Sequence, residues 1–167
     1  FFRGFPEAMD AEIRAKARSG HHTFLLTSEH FLSRLQGPRQ VVWVREILAP
    51  YFDEFRIVCY FREQSKKRTS LYSTGLRNTT GQTIEDFQKG VGLKHHAYNY
   101  LVFFRKWEDA FGKAALVPRL FDKSMLYNGD VRRDYVAHAL PGVDPEALNF
   151  DKSSANVSLS ADEAQLY

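Results

Sequence analysis

One cysteine in 167 residues, Cys59, has no partner within the chain, so an internal disulfide is excluded. A reduced, cytoplasmic compartment is the default that follows. No apolar run approaches the ~20 residues that a membrane-crossing helix needs, and no signal-peptide pattern is visible. Cysteine pairs and HExxH spacing are missing as well. The doublets His21-His22 and His95-His96 are poorly placed to share one ion, so no metal is expected. Charge of either sign is not in large excess. Lys and Arg number 23 against 20 Asp and Glu, a formal net charge of +3 with a pI of about 9.0. That balance fits a local basic site for a small anion better than a surface that coats nucleic acid. Repeats and low-complexity tracts are absent too. Aromatic residues are plentiful, with 14 Phe and 8 Tyr in a chain that is 44% hydrophobic. Residues 1–167 therefore read as one domain with a core built on rings.

Residues 7–18 are strong helix formers closed by Ser19-Gly20. Thr23–Thr27 (TFLLT) reads as a short buried strand with Ser28-Glu29-His30 at its carboxyl end, and Phe31–Leu35 turn helical. Gln40–Leu48 place Val41, Val44, Ile47 and Leu48 at helical spacing, with Pro50 as the stop. Thr83–Asp86 resembles a capping box opening a short helix. In Lys94–Lys113, Tyr100, Phe104, Trp107 and Phe111 recur every three or four residues and form the core stripe of the longest helix. Ala115–Phe121 is a strand candidate that Pro118 confines to an edge or an end. Asp130–Leu140 forms another helix before Pro141-Gly142, and Ser160–Glu163 reads as the cap of a last one. Strands alternating with helices predict an α/β fold with a mostly parallel sheet.

The most informative stretch is Phe55–Ser73, FRIVCYFREQSKKRTSLYS. An apolar, β-branched and aromatic run ends in Arg62, and a helical pattern begins at about Gln64. Open α/β sheets bind ligands where a strand delivers residues at its carboxyl end and a helix follows. The cations there call for an anion. Arg62 offers a fork of donors suited to phosphate, and Ser70 follows about two helical turns on with a hydroxyl. The plainer alternative is an arginine paired to a carboxylate and a serine facing water.

This segment resembles the 3′-phosphate-binding segment of sulfotransferases that use 3′-phosphoadenosine 5′-phosphosulfate (PAPS). There a buried strand ends in arginine and a serine follows eight positions later. The wording YFREQSKKRTSLYS is especially similar to bacterial sulfotransferase-like proteins of capsular and surface-polysaccharide synthesis. LLTSEHF (25–31), YNYLVFFRKWEDAFG (98–112), LVPRLFDKSML (116–126) and GDVRRDYVAHAL (129–140) extend the resemblance over roughly residues 23–160. It implies a P-loop-type sulfotransferase fold, PAPS as donor, a carbohydrate hydroxyl as acceptor, and Arg62 and Ser70 as ligands of the 3′-phosphate. Glu29 is the candidate base that removes the acceptor's proton, with His30 as its competitor. Lys66 and Arg68, with Lys67 between them, would cradle phosphate or steer an acidic glycan, or else form a solvated face. Arg119 would face the acceptor or pair structurally. The family's glycine-, lysine- and Ser/Thr-rich phosphosulfate loop has no counterpart in the sequence, which opens at Phe1, so the loop-bearing first strand is expected upstream. Two rivals follow: a non-catalytic binding module of the same fold, and a basic nucleic-acid-binding helical protein.

Overall fold

The computed structural model describes residues 4–28, 30–77, 83–90 and 98–150. The chain divides into two compact units, Phe1–Asp53 and Glu54–Tyr167. Each is built around its own contacts.

In the first unit, α1 spans Phe5–Arg18, α2 His30–Arg34 and α3 Pro38–Leu48. Helix α1 begins with Pro6 in its first turn, where a missing N–H costs nothing, and carries an Asp10–Arg14 pair four residues apart. Helix α3 starts with Pro38, and the Gln40 side chain accepts from the Gly37 amide at 2.9 Å. Val41, on α3, is fully buried at the centre of this unit. Tyr51 donates a 2.6 Å hydrogen bond to Asp10, and Phe24 stacks on Phe52 at 5.7 Å. The strand expected at Thr23–Thr27 does not form. Residues 21–28 have no regular structure, and Phe24, Leu25 and Leu26 are 43–49% exposed. Apolar composition makes a segment able to enter a sheet, but a strand also needs a ladder partner, and the described residues of this unit supply none.

The second unit holds the sheet. Strand β1, Ile57–Phe61, lies parallel to β2, Leu116–Leu120, in the register Ile57↔Leu116 through Phe61↔Leu120. The Phe121 amide donates to the Phe61 carbonyl at 2.7 Å and carries the ladder one step further. A parallel pair needs a long crossover. Residues 62–115 provide it, with α4 (Gln64–Arg77), α5 (Ile84–Gly90) and α6 (Tyr100–Phe111). Two strands are described where three were expected. Among the described residues β1 has one strand neighbour, and every β1 residue is half-buried instead of fully enclosed. Pro118 sits opposite Cys59 in β2 and is tolerated because an edge strand can direct its missing donor outward.

The ring-built core expected from composition is present, and Phe61 is its hub. It meets Tyr100, Phe103 and Phe104 of α6 at centroid distances of 4.7, 5.6 and 4.6 Å. Trp107 stacks on Phe111, which meets Phe55 at 5.2 Å. Helix α7, Val131–Ala139, opens with Asp130, whose side chain accepts from the Arg132 amide. Helix α5 opens with Thr83, whose hydroxyl oxygen accepts from the Asp86 amide at 3.2 Å while its proton goes to the Asp86 carboxylate. The second half of the expected helix 94–113 is α6; residues 91–97, with His95 and His96, lie outside the described residues, as do 160–163.

Candidate functional site

The strand–arginine–helix arrangement expected at Phe55–Ser73 is present. β1 ends at Phe61, Arg62 follows at once, and α4 begins at Gln64. Arg62 thus stands at the carboxyl end of a parallel sheet, the edge at which open α/β sheets hold ligands. Its guanidinium lies 4.8 Å from the ring centroid of Phe121, the first residue past β2. Its backbone carbonyl accepts a 2.7 Å hydrogen bond from the Tyr100 hydroxyl. Among the described residues no carboxylate pairs with the guanidinium.

Ser70 lies in the second turn of α4 and is half-buried. Its carbonyl accepts from Thr74, and among the described residues its hydroxyl has no hydrogen-bond partner. At about 100° per residue, Lys66 and Lys67 lie within about 60° of Ser70 around α4, whereas Arg68 lies on the far side. The three cations therefore have different fates. Lys66 forms an exposed 3.1 Å pair with Asp122 past the end of β2. Lys67 is half-buried with its ammonium 5.0 Å from the Tyr100 ring and 5.5 Å from that of Tyr98. Burial, and then the neighbouring Arg62 charge, push its pKa below the ordinary lysine value. Arg68 has its Nε buried, with no hydrogen-bond partner among the described residues, on the side of α4 away from Ser70.

The amino terminus of α4, which would ordinarily attract an anion, is already occupied. The Glu63 carboxylate accepts from the Ser65 hydroxyl and from the Ser65 and Lys66 amides. Those bonds, the Ser65 hydroxyl first, hold the Glu63 carboxyl down at about 2. A phosphate at this sheet edge would therefore be met by side chains and not by helix amides.

Arg119 occupies a different environment. Its guanidinium grips Asp134 of α7 with two bonds, Nε to Oδ2 at 3.0 Å and an Nη2 bond to Oδ1 at 2.7 Å, and a third goes to the Met125 carbonyl. Asp134 is fully buried and also accepts from the Tyr60 hydroxyl and the Tyr127 amide. Burial by itself would raise the Asp134 carboxyl. The bonds from Arg119, Tyr127 and Tyr60 outweigh it and hold the group at about 2. Of the two sequence readings of Arg119, the structural pairing matches this geometry. Asp134 was missed from sequence; its one signal, an acid among the apolar positions of an amphipathic helix, is visible in VRRDYVAHA. Tyr100 was assigned to the core alone, and its hydroxyl contact with Arg62 has no sequence signature.

The candidate bases belong to the first unit. Glu29 lies outside the described residues. His30 is exposed at the start of α2, its amide bonded to the Ser28 hydroxyl at 3.1 Å. Among the described residues no group of three or more His, Cys, Asp or Glu is arranged to hold a metal ion, and no helix is long and apolar enough to cross a membrane. His21 instead shares a 3.1 Å contact with Ser19.

No family model matches the chain, and no solved structure matches it. It is similar to an uncharacterized protein of Archaeoglobus fulgidus, 32% identical over 106 residues. That stretch is 63% of this chain and spans 27% of the relative's length.

Proposed function

We propose that this chain is a PAPS-dependent sulfotransferase of P-loop type that transfers a sulfuryl group to a carbohydrate hydroxyl, such as that of a surface polysaccharide. The observation that carries the reading is the Arg62 guanidinium at the carboxyl end of β1, unpaired with any described carboxylate and followed directly by the helix that bears Ser70. An arginine and a serine hydroxyl with no hydrogen-bond partner among the described residues have donors to offer an oxyanion. The remainder rests on the resemblance in residues 23–160. Arg62 and Ser70 bind the 3′-phosphate of the donor. Glu29 takes the proton of the attacking hydroxyl, with His30 as the other candidate, and adenosine 3′,5′-bisphosphate leaves. Lys66 steers an acidic acceptor from the surface.

Calorimetric titration with adenosine 3′,5′-bisphosphate tests the donor site. The full chain is expected to bind it, and Arg62→Ala to bind roughly ten- to a hundredfold more weakly, as loss of a charge-assisted bond of about 1.5–3 kcal/mol requires. Equal binding by both proteins would remove Arg62 from the site. Transfer from labelled PAPS to a polysaccharide acceptor separates the enzyme from a binding module. Glu29→Gln is expected to stop turnover while leaving nucleotide affinity intact; the same result from His30→Asn instead would move the base to His30.

A further inference from the structure

Two cationic arms from the β1 side reach the same corner of the sheet. The Arg62 guanidinium lies 4.8 Å from the ring centroid of Phe121, and the Lys66 ammonium lies 3.1 Å from Oδ2 of Asp122, the next residue. The Phe121 amide ties that corner to β1 through its 2.7 Å bond to the Phe61 carbonyl. Ser70 stands one turn beyond Lys66 on the same face of α4. The two members of the ion pair are unequally held. Oδ1 of Asp122 accepts from the Ser124 amide at 3.1 Å and from the Ser124 hydroxyl at 2.8 Å. The Asp122 carbonyl accepts from the Met125 and Leu126 amides. The carboxylate is therefore built into the turn after β2, and none of those bonds involves the lysine. Lys66 meets it with the tip of a flexible four-carbon stem whose side chain is 64% exposed.

We propose that Asp122 is a specificity-determining residue of the anion site, a built-in competitor that holds Lys66 until a phosphate takes the lysine over and joins it to Arg62 and Ser70. The inference rests on the reading of Arg62 as a phosphate ligand and gives Lys66 a task at that site besides steering. An exposed lysine–carboxylate pair is weak and screened by salt, so a phosphoryl dianion already gripped by a guanidinium can displace it. The exchange leaves no group stranded. Lys66 trades one oxyanion for another, while Oδ1 of Asp122 keeps both Ser124 bonds and Oδ2 turns to water. The competitor is always charged at working pH, because the Ser124 hydroxyl and then the Ser124 amide hold the Asp122 carboxyl down at about 2. An anion that does not reach Arg62 meets a lysine already neutralised, so the pair selects against small anions at large.

The test is calorimetric titration of the full chain with adenosine 3′,5′-bisphosphate and with adenosine 5′-phosphate, which lacks the 3′ group. Asp122→Asn keeps an oxygen for the Ser124 bonds and removes the charge. It is expected to tighten the bisphosphate roughly two- to fivefold, the range that an exposed ion pair commands, and to leave the monophosphate unchanged. Lys66→Gln is expected to weaken the bisphosphate roughly three- to tenfold, and in that background Asp122→Asn is expected to add little or nothing. Equal tightening with and without Lys66 would make Asp122 a general repulsive charge and overturn the exchange. Unchanged affinity in a folded Asp122→Asn protein overturns it as well. Should Asp122→Asn fail to fold, Lys66→Gln, on an exposed side chain, decides alone, and wild-type affinity there sinks the inference. If the wild type prefers the bisphosphate and Arg62→Ala abolishes the preference, yet Lys66→Gln binds like wild type, this inference falls and the Arg62 assignment stands. No preference in the wild type removes the Arg62 reading and this inference with it.

Discussion

Arg62, just past β1, and Arg119, within β2, carry the same guanidinium in different surroundings. Arg119 is bound to a fully buried carboxylate, so its charge is balanced inside the protein. Arg62 has an aromatic face and a fixed backbone, but no described acid. Removing one member of a buried pair leaves the other uncompensated. Asp134→Ala is therefore expected to destabilise the protein by about 3–5 kcal/mol in urea titration, more than any substitution at Lys66, whose exposed pair with Asp122 is worth under about 1 kcal/mol. The pH dependence has a definite sign. The folded Asp134 carboxyl titrates at about 2, below its unfolded value of 3.8, so the stability it confers is fully present above about pH 4 and is lost as pH falls toward 2. That difference corresponds to about 2 kcal/mol. Wild type should lose it on acidification, and Asp134→Asn should lack that segment of the stability–pH curve. Cys59, whose thiol burial pushes up to about 12, should resist alkylation by iodoacetamide at pH 8 until the protein is unfolded.

At the scale of the element, the strand-end site is held by the packing of α6 against β1. Phe61 touches three rings of that helix, and its truncation removes a hub shared by both elements. Phe61→Ala is expected to cost about 3 kcal/mol and to weaken nucleotide binding through Arg62, the next residue; thermal unfolding and calorimetry read the two effects separately. Helix α6 ends at Gly112, with φ at 84° and ψ at 151°. An added Cβ there meets no atom within 4 Å, so Gly112→Ala isolates the backbone cost, expected at about 1–3 kcal/mol in a denaturant titration. Much at this scale is legible in sequence. β1, α4, α6 and α7 carry periodicity, caps and stops that agree with one another, and the Arg62–Ser70 spacing marks the candidate site. TFLLT shows the limit, because a strand's existence depends on a neighbour that its own residues do not encode.

For the whole molecule, the formal net charge is only +3. Any binding to duplex DNA is expected to vanish by ~0.15 M salt, whereas adenosine 3′,5′-bisphosphate should remain bound; a steep DNA salt slope that persists there would favour the nucleic-acid rival.

Composition and pattern alone determined an α/β chain with an aromatic core, a strand ending in arginine and a helix carrying serine eight residues later, since these depend on local periodicity and on residues near one another along the chain. Only the tertiary structure decided which cations pair with described acids. Asp134 and Asp122, remote from their partners in sequence, claim Arg119 and Lys66, while the Arg62 guanidinium packs on the Phe121 ring. The reason is physical: the availability of a charge depends on what folding places against it, and that information is not carried by the charged residue itself.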